Sequence, residues 1–336
     1  MTMHRDMMPH FELYQPDSVQ GALDLAQAIG PGAWFLAGGN DSLDWFKDRN
    51  KRPAAVIDLS GIRELHGIRE TTDGLEIGAL TKLVDVETSE LVRARYSLLA
   101  TAAGRVASPQ IRNSGTLGGN LCQDARCWYY RFGVSCYRAG GNACYADTPQ
   151  GMNREHCLFG ASRCVAVSPS DTGTAAMALD ARMVLRGPDR QRELSAEEFF
   201  VGPAHDITRM TALRPGELLI AVRFPKEWAG ARFYFEKVAD RNTWDFALVS
   251  IAAALVVQNG VITRTRLACG AVECVPRRLQ AVEQAVTGQP QNEATALLGG
   301  QIAVAGAEPL HFNGFKVALM ENLVRRALRP EAPEHA

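Results

Sequence analysis

Residues 108–121 read SPQIRNSGTLGGNL and contain one proline and three glycines. This composition disfavours a regular helix or a central strand and predicts a loop. A second glycine pair occurs earlier in the chain, within LAGGN at 36–40. Glycine lets consecutive backbone N–H groups converge on an anion, and a diphosphate needs many such donors. One glycine pair alone is usually a plain turn, but two pairs in one chain favour a phosphate-binding site.

Alternating helical and strand-like segments surround both loops. Apolar residues recur at helical spacing over 18–29, and the short apolar runs 33–37, 54–59 and 75–80 predict strands. Two helices are expected at 84–92 and 96–106. After residue 190 longer strands are predicted at 217–224, 231–238, 248–257 and 261–268, and three helices at 276–286, 293–304 and 314–327. The pattern predicts an α+β chain of two domains, 9–187 (sub-parts 9–65 and 66–187) and 190–330.

Six of the eight cysteines lie between residues 122 and 164. The segment 131–162 shows no sustained hydrophobic period, which predicts an insertion over about 122–164 that is held by something other than a core. A disulfide framework is typical of short secreted chains, so metal or cluster ligation is the favoured interpretation. Cys269 and Cys274 are predicted to be packing thiols, and His156 is predicted to be an exposed loop residue.

The composition excludes several classes of function. The chain has 36 Lys+Arg against 37 Asp+Glu, a formal net charge of -1, so no nucleic-acid-binding surface is predicted. The longest apolar run, 246–257, is shorter than the roughly 20 residues of a membrane span. Residues 1–9 lack the apolar stretch of a signal peptide, which predicts a cytoplasmic protein.

Five short motifs are distributed over the chain: LAGGN at 36–40, RNSGTLGGN at 112–120, SPSDT at 168–172, FEKVADR at 235–241 and FALVS at 246–250. Together they resemble the FAD-binding medium subunits of the xanthine oxidase family of molybdenum hydroxylases. The resemblance covers nearly the whole chain. It implies a two-part PCMH-type FAD-binding domain with a cluster-bearing insertion, and a C-terminal α+β domain similar to that of the CO dehydrogenase flavoprotein.

The resemblance also implies which residues hold the flavin. Both glycine loops would bind the FAD pyrophosphate, the aspartate of SPSDT would contact the adenosine part, and a lysine would lie near the flavin. Asn40 stands where the family usually has threonine and keeps a side-chain donor. For Lys237, a solvated strand lysine is the alternative interpretation. The implied residues are Ala37, Gly38, Gly39, Asn40, Thr116, Gly118, Gly119, Asn120, Asp171 and Lys237.

A subset of that family, similar to 4-hydroxybenzoyl-CoA reductase and periplasmic aldehyde oxidoreductase, holds a 4Fe-4S cluster in an insertion after the second glycine loop. This chain resembles the subset at QDARC (123–127) and RCVAVSPSD (163–171). A cubane cluster requires four soft external ligands. Cys157 is the alternative to Cys164, and a four-thiolate zinc site is the alternative to a cluster. The predicted ligands are Cys127, Cys136, Cys144 and Cys164.

The function implied is that of an electron-transfer flavoprotein subunit. Its complex would add a small subunit with two 2Fe-2S clusters and a large molybdopterin-binding subunit, and would exchange electrons with an external donor or acceptor. A twin-arginine signal on a partner subunit would place that complex in the periplasm. Two rivals are a self-sufficient flavin oxidoreductase, which would need a catalytic base that the sequence does not reveal, and a zinc-binding scaffold protein.

Overall fold

The computed structural model describes residues 8–330. Most of the segment on which the signal-peptide prediction depends, residues 1–7, lies outside this range. The first sub-part is a three-stranded parallel sheet of order β1-β3-β2 with two helices. Ser18 caps α1 by accepting a hydrogen bond from the Gly21 N–H. The elements are β1 (Glu12–Tyr14), α1 (Val19–Ile29), β2 (Ala33–Leu36), α2 (Ser42–Lys47) and β3 (Ala55–Asp58).

The second sub-part is built on a five-stranded antiparallel sheet of order β4-β5-β8-β6-β7. The domain boundary expected near residues 187–190 falls between β6 and β7, which are hydrogen-bonded neighbours. The N-terminal unit, which comprises both sub-parts, therefore extends to the end of β8. The strands are β4 (Ile68–Thr71), β5 (Gly74–Gly78), β6 (Arg182–Arg186), β7 (Gln191–Ser195) and β8 (Leu218–Pro225).

Short helices accompany this sheet. The helix predicted over 84–92 is two helices, because Ser89 interrupts the first and caps the second. Residues 108–121, predicted as a loop, form two short helices capped by Ser108 and Thr116, and Pro109 is accommodated in a first turn, where its missing N–H costs nothing. The helices are α3 (Leu83–Thr88), α4 (Glu90–Arg95), α5 (Ser97–Gly104), α6 (Pro109–Arg112), α7 (Leu117–Cys122), α8 (Trp128–Arg131), α9 (Asp171–Ala178) and α10 (Ala196–Phe199).

The C-terminal unit is a four-stranded antiparallel sheet of order β12-β11-β10-β9 covered by three helices. Its long hairpin turns at Asn259 and Gly260, which both have positive φ, as a tight hairpin turn requires. The predicted strands and helices of this unit are confirmed to within a few residues. They are β9 (Arg232–Val238), β10 (Val249–Gln258), β11 (Val261–Gly270), β12 (Arg277–Arg278), α11 (Gln280–Val286), α12 (Glu293–Ala303) and α13 (Phe315–Leu328).

One apolar core joins the two larger sheets. It contains Ile77 of β5, Leu99 of α5, Met177 of α9 and Ala252 of β10, all buried. Helices α5 and α9 therefore lie between the sheets, and the start of α9 is held where both units meet. The α+β fold class is confirmed. Within residues 8–330, no helix is long and apolar enough to cross a membrane.

Candidate cofactor sites

A cleft of about 640 Å³ opens beside the first glycine loop, helix α7 and the start of α9. Lys237, on β9, contacts Asp171 at its edge. The fold thus brings together segments from three distant parts of the chain. The predicted flavin residues that line the cleft are Ala37, Gly38, Gly39, Asn40, Thr116, Gly118, Gly119, Asn120 and Asp171.

The first glycine loop leaves its backbone donors available. Gly39 has φ of 78°, a conformation that favours glycine. A Cβ on Gly38 would lie 2.3 Å from the Ser114 carbonyl oxygen, so the loop packs directly against residue 114. Within residues 8–330, the backbone N–H groups of Gly38, Gly39 and Asn40 have no protein acceptor. Three consecutive free donors in a cleft suit an anion such as a diphosphate.

The second glycine pair has a different local role. It lies inside α7, whose N-cap Thr116 accepts a hydrogen bond from the Gly119 N–H at 3.1 Å. The Gly118 N–H donates to the Ala79 carbonyl at 2.8 Å. A Cβ on Gly118 would lie 2.8 Å from the Ala79 Cβ. Because both N–H groups are already paired, these glycines bring α7 close to the end of β5 rather than offering donors to a phosphate.

Asn120 connects the second glycine segment to SPSDT. Its Oδ1 accepts hydrogen bonds from Ser170 Oγ at 2.8 Å and from Thr172 Oγ1 at 2.5 Å. All three side chains are buried. Asn120 therefore fixes the position of the turn that carries Asp171 at the start of α9.

Asp171 and Lys237 form a buried ion pair. Lys237 Nζ lies 2.6 Å from Asp171 Oδ2 and also donates to the Arg105 carbonyl at 3.0 Å. Both side chains are 5% exposed, which excludes the solvated-lysine interpretation. Burial raises the pKa of the Asp171 carboxyl, while the positive charge of Lys237 opposes that rise. Oδ1 has no protein partner within residues 8–330, so it can accept a hydrogen bond from a ligand hydroxyl.

A second, small cavity lies within the cysteine-rich segment. The four predicted ligands, Cys127, Cys136, Cys144 and Cys164, all line it. Cys157 is buried beside Ala146 and Val165 and is not among the lining residues. Burial raises the pKa of the Cys127 thiol to about 11 and that of Cys157 to about 12. Within residues 8–330, no group of three or more His, Cys, Asp or Glu side chains is placed to hold a single metal ion.

His156 is buried rather than exposed, which corrects the sequence prediction. It is 2% exposed, and its Nε2 lies 3.3 Å from the Cys127 sulfur. Asn313, just before α13, and Lys316, in its first turn, donate hydrogen bonds to the His156 carbonyl and cover it. Burial lowers the pKa of His156 to about 4, so the imidazole is neutral at pH 7.

Charged residues that sequence reasoning missed connect the two cavities. Asp41, the residue after the first glycine loop, accepts a hydrogen bond from Arg131 Nη2 at 2.7 Å and one from the Asp124 N–H at 3.2 Å. Asp124 in turn pairs with the buried Arg138. The two contacts of Asp41 span 90 and 83 residues of sequence, and the only local signal was that Asp41 lies two residues after a glycine pair.

Known proteins share both parts of this architecture. Residues 9–227 match the family model described as the FAD binding domain in molybdopterin dehydrogenase, and residues 234–330 match the CO dehydrogenase flavoprotein C-terminal domain. The aldehyde oxidoreductase FAD-binding subunit PaoB of Escherichia coli (strain K12) is 36% identical over 304 residues, which cover 89% of this chain and 91% of that protein.

Two further relatives extend the similarity. The carbon monoxide dehydrogenase medium chain of Hydrogenophaga pseudoflava is 29% identical over 324 residues, covering 95% of this chain and 96% of that protein. A solved structure of carbon monoxide dehydrogenase from that organism superposes with a TM-score of 0.77 at 30% identity, covering 96% of this chain and 97% of that one. The matches therefore run through both the cleft-bearing unit and the C-terminal unit.

Proposed function

Since the chain belongs to the FAD-binding medium subunits of the xanthine oxidase family of molybdenum hydroxylases, we propose that it transfers electrons between FAD in the cleft and a 4Fe-4S cluster in the cysteine cavity. It is an oxidoreductase subunit, and we place the organic substrate on a molybdenum-bearing partner. One observation carries the proposal: a single cleft gathers nine of the ten predicted flavin residues, and one cavity gathers all four predicted thiols.

Different residues of the cleft would bind different parts of the flavin cofactor. FAD, when bound, supplies a ring that takes up and releases electrons. The free N–H groups of Gly38, Gly39 and Asn40 would bind its pyrophosphate. Asp171 Oδ1 would accept a hydrogen bond from the adenosine part, and Lys237 holds the other carboxylate oxygen so that Oδ1 keeps its direction.

The cysteine cavity has the donor set that a cubane cluster needs. A 4Fe-4S cluster, when bound, passes one electron at a time. Burial raises the pKa of the Cys127 and Cys164 thiols, so both carry their protons until iron displaces them. The buried Nε–H of Arg138, at the wall of the same cavity, has no partner among the described residues. An acceptor arriving with the cluster would satisfy it.

Hydrogen bonds connect the two sites. Asp41 joins the first flavin loop to Arg131, which lies at the end of the helix that begins directly after Cys127. A rigid connection of this kind keeps the distance between two electron carriers constant. We further propose a small 2Fe-2S subunit and a large molybdopterin subunit as partners, and an external donor or acceptor for the flavin.

Metal analysis with a visible spectrum of the purified chain tests the cofactor assignment. Flavin bands over a broad absorbance that bleaches on reduction, with about four iron and four sulfide per chain, are expected for the proposed pair. Flavin bands without iron would instead support a self-sufficient flavoprotein. Zinc without colour would support a scaffold protein.

Serine substitutions locate the cluster. Each single replacement at the four cavity cysteines should lower iron and sulfide, whereas Cys157→Ser and Cys274→Ser are matched controls that should retain both. Both controls are buried thiols outside the lining of the cavity. Loss of iron in Cys157→Ser with retention in Cys164→Ser would move the fourth ligand to Cys157.

Turnover assays test whether the organic substrate reacts on a partner subunit rather than on this chain. The isolated chain should reduce dyes only with an artificial reductant and should not oxidise aldehydes, N-heterocycles or aromatic thioesters. Aldehydes are the first substrates to test, because PaoB, the 36% identical relative, is a subunit of an aldehyde oxidoreductase. Activity that appears only after the molybdenum-bearing partner is added supports the proposal. Steady turnover by the chain alone contradicts it.

A further inference from the structure

Arg138 is a buried cation at the wall of the cysteine cavity. It is 4% exposed and lines the cavity together with the four cysteines. Its guanidinium has two defined partners: Nη1 donates to the Ile207 carbonyl at 2.7 Å, and Nη2 to Asp124 Oδ1 at 2.5 Å. These two bonds hold the guanidinium in one orientation, because Arg presents its donors as a rigid planar fork.

The third nitrogen of this guanidinium, Nε, has an N–H that the described residues leave unused. Arg138 Nε is buried and has no hydrogen-bond partner among residues 8–330. A buried N–H without an acceptor is unfavourable, and such groups are rare in native proteins. An acceptor from outside residues 8–330 would satisfy this N–H. Arg138 lines the same cavity as the four cysteines, so a group that their sulfurs would hold is a candidate acceptor for this N–H.

We propose that Arg138 donates its Nε–H to a sulfur of the cluster and raises the cluster's reduction potential. This inference rests on the proposed 4Fe-4S site. Reduction adds one electron to the cluster and leaves every bond in place, so the reduced form carries one more negative charge. A fixed positive charge and an N–H···S hydrogen bond both stabilise that form more than the oxidised one.

Among the described residues that line the cavity, Arg138 is a buried cation. His156 is buried, and its Nε2 contacts the Cys127 sulfur, where it can take part in a hydrogen bond. Arg163 also lines the cavity but is exposed to solvent, where its charge is screened. Asp124 offsets part of the Arg138 charge, yet it binds Nη2 and leaves Nε free for the cavity.

A redox titration followed by electron paramagnetic resonance tests the proposal on the holoprotein. Arg138→Gln should shift the ratio of oxidised to reduced cluster at least tenfold toward the oxidised form at a fixed potential, which equals about 59 mV for one electron. Arg163→Gln is the matched control, an arginine of the same cavity, and should shift the ratio far less. Iron and sulfide are measured on every sample, so a missing cluster in the wild type rejects the proposed cluster itself.

A measurement on the wild type keeps the inference testable if Arg138→Gln fails to bind iron. Pulsed electron paramagnetic resonance of the reduced cluster, in protein labelled with ¹⁵N-arginine, should show coupling to one arginine nitrogen that disappears in Arg138→Lys. A loaded wild-type cluster without arginine coupling overturns the inference. An Arg138→Gln cluster with unchanged potential overturns it as well.

Discussion

Replacing Lys237 with methionine tests whether the buried ion pair with Asp171 holds the edge of the cleft. The methionine keeps the length of the side chain and removes its charge. Both partners are 5% exposed and lie 2.6 Å apart. Removing one partner of such a buried pair leaves an uncompensated charge and typically costs ~3–5 kcal/mol. We expect a loss of that size in the free energy of unfolding at pH 8.

The loss in the free energy of unfolding of Lys237→Met should be larger at high pH than at low pH. Burial already raises the pKa of Asp171 above its value in the unfolded chain, and removing Lys237 raises it further. The folded variant then binds a proton more tightly than the unfolded one, so its stability falls as the pH rises. The destabilisation should be complete at pH 8 and smaller at pH 5, where protonated Asp171 is tolerated in the buried site.

Urea unfolding followed by tryptophan fluorescence at both pH values measures these changes without adding salt. Arg154→Met is the matched control, because it breaks an ion pair with Asp240 whose side chains are 46% and 52% exposed. An exposed pair of this kind contributes less than about 1 kcal/mol. If Lys237→Met at pH 8 costs no more than Arg154→Met, or costs the same at pH 5, the reasoning is refuted.

Three further substitutions test other parts of the structure. Gly118→Ala places a Cβ 2.8 Å from the Ala79 Cβ and should destabilise by ~1–3 kcal/mol through overpacking; an unchanged melting temperature would contradict this. Asn313→Ala removes two 3.0 Å hydrogen bonds to the carbonyls of residues 156–157 and should speed hydrogen exchange in that segment, whereas wild-type protection there would count against it. Tyr96→Phe removes the hydrogen bonds of a buried hydroxyl to β8 and should cost ~1 kcal/mol in urea unfolding, so an unaltered midpoint would disprove the role of the hydroxyl.

Local patterns determined much of the fold. The hairpin of β10 and β11 could be predicted because its strands are apolar and an Asn-Gly turn separates them. The three C-terminal helices follow from hydrophobic spacing in the same way. The glycine motifs and the crowded cysteines also pointed to the two cavities, since both signals lie within short stretches of sequence.

Tertiary structure decided the features that depend on pairing between distant residues. The position of β8 between β5 and β6 follows from strand pairing across more than 140 residues, so the domain boundary could not be read from the change in pattern near residue 190. The burial of His156 was hidden because its neighbours in sequence, Arg154 and Glu155, are charged. Asn313 and Lys316, which cover it, come more than 150 residues later. Hydrophobic period and turn chemistry report only what each segment prefers by itself, whereas burial and ion pairing arise when the folded chain brings separate segments into contact.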